Sequence, residues 1–211
     1  DRGRAYSAQA DGFWLVGRGI RGLAPSMRAM VLERASRALV EQRLSIPAPG
    51  PSELLVRVRC TGVCRTDLQI LDGQLPAPRF PLVMGHQIVG TVVERSARVE
   101  GFAEGQRVGV PWLGWACGDC RLCKRGRENL CPRAEFTGYQ RDGGYAEYAL
   151  VSPHFALPLP GSYPDLQAAP LLCAGLVGYR ALCLAGDAEH IGLYGFGSAA
   201  HIVAQVARHQ G

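Results

Sequence analysis

Cys117-Gly-Asp-Cys120-Arg-Leu-Cys123, followed after seven further residues by Cys131, gathers four of the chain's eight cysteines into one short stretch. The spacing is C-x2-C-x2-C-x7-C. Tetrahedral zinc takes four soft ligands at about 2.3 Å, and spacings this short let one loop wrap a single ion. Four thiolates around Zn²⁺ leave negative charge in excess, and Arg121, Lys124, Arg125 and Arg127 stand within or just after the cluster to offset it. Two disulfides would use the same residues, a pattern natural in a small secreted domain and rare in reduced cytosol. The spacing favours the metal. A four-thiolate site has no position left for substrate, so the cluster predicts a structural zinc, and the chemistry has to sit elsewhere.

Around that loop the chain is an ordinary globular one, 47% hydrophobic and 19% charged over 211 residues, enough for one large domain or two small ones. The net charge of +5 is concentrated at the start, where residues 1–28 hold five arginines against Asp1 and Asp11. The remainder is close to balanced, so a solvated surface is expected and a nucleic-acid partner is not. The apolar runs are broken by Gly, Pro or charge short of a bilayer span, so no membrane partner is expected and a cytoplasmic protein is. Residues 1–26 are rich in Arg, Gly, Ser and Ala. Their one apolar run, Phe13-Trp-Leu-Val16, is too short for a signal-peptide core. They read as a disordered extension, with Met27 or Met30 as the functional start.

From Met27 the pattern turns β-rich. Ala29–Leu32 and Leu39–Leu44 read as short strands, and 47–51 (Pro-Ala-Pro-Gly-Pro) is a non-helical turn. Residues 53–60 alternate, with Leu54, Val56, Val58 and Cys60 on one face of a half-buried strand. Residues 83–93, 106–110 and 143–151 continue the series. Short strands with frequent turns predict a partly closed β-barrel, with residues 27–160 as one domain and a zinc lobe at about 111–135. The texture changes over 158–164. Asp165 reads as an N-cap, 166–185 as helix broken near Pro170–Gly175, and 190–195 as a compact strand running into a helix that ends near His209. Residues 161–211 are thus a connecting helix and the start of a second, α/β domain. Cys60 and Cys183 read as buried small hydrophobes.

Three separated residues, Cys64, His86 and Cys173, each lie beside glycine-containing or irregular stretches. Two thiolates and a neutral imidazole balance Zn²⁺ and leave a fourth position open. Spacing alone does not single them out, since a lone Cys in a strand or a His after Gly is ordinarily a packed residue. Gly195-x-Gly197-x-x-Ala200 falls between a predicted strand and helix, where glycines let the backbone approach a pyrophosphate at the helix N-terminus. An ordinary strand-to-helix turn has the same look.

Taken together, Gly62-Val-Cys64-Arg-Thr-Asp67, Gly85-His86, the four-cysteine lobe, Cys173-Ala-Gly175 and the glycine turn resemble the zinc-dependent medium-chain alcohol dehydrogenases over residues 29–211. The resemblance implies a mixed α/β fold: a chaperonin-10-like β-barrel catalytic domain followed by the first βα unit of a Rossmann domain. It implies two zinc ions per subunit and NAD or NADP. Cys64, His86 and Cys173 would hold the catalytic zinc, and Cys117, Cys120, Cys123 and Cys131 the structural one. Thr66 would pass on the alcohol proton, and Asp67 would fix the tautomer of a ligating imidazole. Arg65, Gly195, Gly197 and Ala200 would meet the cofactor, and Trp112 would narrow the alcohol pocket or simply pack in the core.

Two residues depart from the pattern. Gln87 stands where many members have a glutamate, and Gln69 where a relay histidine often stands. The implied reaction interconverts a primary or secondary alcohol and its aldehyde or ketone, in a homo-oligomer. A carboxylate as third ligand marks many polyol-type relatives, so Cys173 points toward simple alcohols. The acidic residue that would read the cofactor ribose lies about 20 residues past the glycines, beyond Gly211. The competing readings are an inactive or fragmentary zinc-stabilised domain and a polyol or aldehyde-adduct dehydrogenase.

Overall fold

The structure, a computed structural model, describes residues 25–211. The expected N-terminal extension lies outside the described residues except for its last two, and Ser26 already opens a strand. In chain order the elements are β1 (Ser26–Leu32), β2 (Val40–Ser45), β3 (Leu54–Thr61), α1 (Arg65–Leu71), β4 (Leu82–Val83), β5 (Ile88–Arg95) and β6 (Arg107–Val110). Then come β7 (Leu113–Trp115), β8 (Glu135–Phe136), β9 (Tyr148–Val151), β10 (Leu157–Pro158), α2 (Asp165–Pro170), α3 (Leu176–Ala185) and α4 (Ser198–Gln210).

Three antiparallel sheets result, ordered β2-β1-β4, β10-β6-β5-β3-β9 and β7-β8. The largest core lies on the five-stranded sheet, where alternation sends Leu54, Val56, Ile88, Val92, Val108, Val110, Ala149 and Val151 inward. Two bulges in the β3–β5 register, at Leu55/Val56 and Val58/Cys60, bend the sheet. A second core of Leu32, Ile70, Leu82 and Met84 sits under α1 and carries Trp112, Tyr139 and Tyr145 at its edge. The four-cysteine lobe hangs between β7 and β8.

Three departures from the expected elements shape the site. The stretch 83–93 is not one strand. Gly85, at φ +94°, breaks it into β4 and β5, which join different sheets, and His86 drops into the gap between them. Only the end of 143–151 is a strand. Gly143, Gly144 and Tyr145 instead cross between the sheets, their amides bonding to Val83, Gly85 and Met84 carbonyls. Residues 65–71, assigned no element from the sequence pattern, form helix α1.

The C-terminal part differs as well. Residues 190–195 form no strand; extended backbone needs a neighbouring ladder to satisfy its amides, and none lies beside it among the described residues. The expected break near Pro170–Gly175 is a π turn over Leu171–Gly175, which joins α2 and α3 into one run of 21 residues. By length and composition that run is apolar enough to cross a bilayer, but Ala168, Ala169 and Leu172 are buried against Val89 of β5. The N-cap of α2 is Pro164 rather than Asp165, whose carboxylate instead accepts from Arg59 Nε and Arg107 Nε at 2.5 and 2.6 Å. Cys60 is half-buried, and Cys183 is exposed rather than buried.

Candidate active site

Cys64, at the N-cap of α1, has extended backbone (φ −124°, ψ 162°), so its side chain projects off the start of the helix. Three residues on, Asp67 reaches back, and its Oδ2 accepts the Cys64 N–H at 2.8 Å. The same carboxylate turns its other oxygen to His86, with Oδ1 3.3 Å from Nδ1. One side chain thus closes the helix end and faces the imidazole. A cysteine followed three residues later by an acid is a variant of the capping box, and that signal could have revealed α1 in the sequence.

His86 comes from the gap opened by Gly85, whose position is set by close backbone contact. A methyl group on Gly143 would stand 2.1 Å from Gly85 O and 2.7 Å from Met84 O. Cys173 comes from the π turn, a geometry that interrupts regular helices and often marks functional positions. Leu172 faces the barrel core, while Cys173 Sγ lies 3.8 Å from Cys64 Sγ. The ligating atoms of Cys64, His86 and Cys173 all lie within 4.8 Å of one another. Residues more than a hundred positions apart thus meet at one point.

The donor set fits a zinc ion. His86 is 1% exposed, and its Nε2 is buried without a hydrogen-bond partner, although it faces two sulfur atoms. An unpaired buried ring nitrogen is costly unless something binds it. Two soft sulfurs and an imidazole are the ligands of a catalytic zinc. Burial opposes charge on His86, but Asp67 and then Cys173 outweigh it and raise its pKa to about 10. Burial also opposes ionisation of Cys64. The Thr66 amide and hydroxyl, then His86, overcome it and hold the thiol below its ordinary value. Thr66 Oγ1 is 3.7 Å from Cys64 Sγ.

The wall of the site is aromatic. Trp112 meets His86 edge-on, with ring centroids 4.9 Å apart, and stacks on Phe136 at 5.0 Å. It is both a core aromatic and a site-facing one. Gln87 is buried, its side chain lying so close against Gly62 that a Cβ there would be 2.0 Å from its Oε1. Tyr145, which the sequence did not single out, has a buried hydroxyl with no partner. Burial first, and then Asp67 and Cys64, push its phenol above the ordinary value, so it stays a proton donor.

The four lobe sulfurs form a second cluster. Cys117–Cys123, Cys120–Cys123 and Cys117–Cys131 lie 3.9, 3.5 and 3.5 Å apart. A disulfide would bring two sulfurs to about 2.05 Å. The edge of a tetrahedron with 2.3 Å arms is about 3.8 Å, so these separations suit four thiolates around one ion. Backbone amides of Cys123 and Arg133 point at Cys120 and Cys131 sulfurs, as they do toward thiolates. A cavity of about 800 Å³ lies beside this lobe near Glu53, Trp115 and His154. It is not at the histidine cluster, and its Arg141 is already paired with Glu53 and Glu135.

The residues expected at the cofactor are arranged as a turn and a helix. Gly195 has φ +88°, Gly197 is the N-cap of α4, and Ala200 lies in its first turn. Arg65 is exposed at the first position of α1. Helix α4 packs on α3 at Gly178, where a Cβ would stand 2.9 Å from Val203 Cγ2 and 3.0 Å from Ala199 O. It also contacts the π turn that carries Cys173.

The model of the alcohol dehydrogenase GroES-like domain matches residues 50–161. A Mycobacterium tuberculosis protein named "Probable alcohol dehydrogenase AdhA" is 50% identical over 173 residues, 79% of this chain and 50% of its own length. The cinnamyl alcohol dehydrogenase SbCAD4 of Sorghum bicolor superposes with a TM-score of 0.80 at 29% identity, covering 88% of this chain and 56% of that one. A thermostable alcohol dehydrogenase of Pyrobaculum aerophilum, solved with cobalt and zinc bound, gives 0.76 at 27% identity over 87% of this chain and 57% of its own. The chain spans about half the length of the relatives it matches.

Proposed function

The chain belongs to the zinc-type medium-chain alcohol dehydrogenases, of which it is the GroES-like N-terminal portion, and we propose that it supplies the metal-binding half of an enzyme interconverting a primary or secondary alcohol and its aldehyde or ketone. The observation that carries this reading is the buried, unpartnered Nε2 of His86 facing the sulfurs of Cys64 and Cys173. Those three residues would hold the catalytic zinc, and Cys117, Cys120, Cys123 and Cys131 the structural one. When bound, zinc supplies Lewis acidity toward an alcohol oxygen, and NAD or NADP supplies the hydride acceptor.

The chain's own residues do the rest. Asp67 holds the His86 ring through Nδ1, leaving Nε2 free to ligate. Thr66 Oγ1, next to Cys64 Sγ, takes the alcohol proton and passes it on. Trp112 closes one side of the pocket against water and sets its width. Arg65 and the Gly195–Ala200 turn receive the cofactor phosphates, with α4 presenting its N-terminus to the negative charge. With two sulfurs and no carboxylate among the ligands, simple alcohols suit the site better than polyols. Homo-oligomeric assembly and a cytoplasmic location belong to the same proposal.

Metal analysis of the full-length protein, joined to alcohol-dependent reduction of NAD or NADP, tests it. Two zincs per chain with activity are expected. Cys64→Ser or His86→Ala should abolish turnover and keep one zinc; a wild-type protein holding a single zinc sinks the assignment of Cys64, His86 and Cys173.

A further inference from the structure

The group of unsatisfied buried atoms around His86 extends past the proposed ligands. Tyr145 Oη, Asp67 Oδ1 and His86 Nδ1 are all buried, and none has an aligned hydrogen-bond partner. Tyr145 packs on the core that includes Ile70, one turn along α1 from Asp67. The Oδ2 of Asp67 already accepts the Cys64 amide, whereas Oδ1 is the oxygen left without an aligned donor. A buried carboxylate gathers donors, and a buried phenol needs an acceptor.

Tyr145 is not free to turn away. Its amide donates to Met84 O at 2.9 Å, and its carbonyl accepts from Met30 N–H at 2.7 Å. A Cβ on Gly85 would stand 2.7 Å from the edge of its ring, and the core of Leu32, Ile70, Leu82 and Met84 packs against it. The ring is therefore held beside Gly85, the neighbour of His86, and against the helix that carries Asp67.

We infer that Tyr145 is a positioning residue: its hydroxyl donates to Asp67 Oδ1 and fixes the carboxylate that in turn orients His86. The remaining lone pair of Oδ1 accepts Nδ1–H, so Nε2 is presented to the metal position with the correct tautomer. The inference rests on Cys64, His86 and Cys173 being the ligands. Two of the three sequence segments that build it, 64–67 and 84–86, carry ligands themselves. The third, 143–145, contributes none, and its role is to hold the other two in register.

Tyr145→Phe keeps the ring and removes only the donor. Zinc alone is titrated into the full chain against a competing chelator, with the four-cysteine site already filled, and ¹⁵N shifts of His86 are recorded. In the wild type the Tyr145 hydroxyl proton should resonate at low field and resist exchange. The variant should keep its thermal midpoint, bind the second zinc about tenfold more weakly, and lose the single hydrogen-bonded Nδ1 signal. In an Asp67→Asn chain the same substitution should change nothing further. Unchanged or tighter affinity in the variant overturns the role of Tyr145 alone, as does an equal loss in the Asp67→Asn background. A wild-type chain that binds one zinc overturns the ligand assignment and this inference with it.

Discussion

Glutamine fills two positions near the proposed site where relatives commonly carry groups that titrate. Gln87 is buried beside His86 and braced against Gly62, so it neither adds negative charge at the metal position nor moves protons. Gln69 lies on α1, one turn from Thr66 on the same short helix, and an amide there does not exchange protons near neutral pH. Gln69→His should raise the rate of alcohol oxidation at and above neutral pH, where the added imidazole is uncharged and offers Thr66 a proton acceptor. A pH–rate profile of the full-length variant superimposable on the wild type would count against this. At this scale the sequence was partly legible. Four cysteines within one loop declare a metal by spacing, because the loop alone can close around it. Cys64, His86 and Cys173 do not, since only long-range pairing of β3, β5 and α2 brings them together. Tyr145 was illegible, because its value lies in an acceptor supplied by a distant helix.

The elements explain how a connecting helix is held to the barrel. Asp165, the first residue of α2, accepts from Arg59 on β3 and Arg107 on β6, and Arg107 also donates to the Pro160 and Tyr163 carbonyls. Burial raises the Asp165 pKa, but the two guanidiniums outweigh it and hold the carboxyl below its ordinary value. A depressed folded pKa means that the stabilisation is complete above the unfolded pKa and is lost as pH falls through the folded one. Asp165→Asn should therefore cost about 1–2 kcal/mol at neutral pH, with wild type and variant converging as pH falls below the ordinary carboxylate range. Thermal midpoints followed from neutral to acid pH check this; a constant difference at all pH values would show that the ion pairs contribute nothing. The elements also show where local pattern misleads. Residues 83–93 are apolar enough for one strand, yet a single left-handed glycine splits them and creates the histidine's place. Residues 190–195 have strand composition, but composition supplies no hydrogen-bonding neighbour.

The molecule as a whole separates its two metal positions. The four-cysteine lobe is an excursion between β7 and β8, and its sulfurs form a cluster separate from that of Cys64, His86 and Cys173. Cys120→Ser should lower the thermal midpoint by several degrees or more, each kcal/mol lost being about 2–4 °C for a chain of this size. It should leave the other zinc bound; loss of both zincs in this variant, by metal analysis, would show that the two positions are not independent. The barrel and the fold class were legible from strand spacing and turn residues, whereas the join between the parts was not, because it depends on a π turn that no composition announces. That join has a consequence for anyone recombining such enzymes. The glycine turn and α4 rest on α3 and on the turn bearing Cys173, with Gly178 in near-contact with Val203 and the Ala199 carbonyl. A chimera cut between α3 and α4 would pair a foreign nucleotide turn with a native ligand and put bulk against that glycine. The crossover belongs ahead of α2, so that the third ligand travels with the helix it leans on.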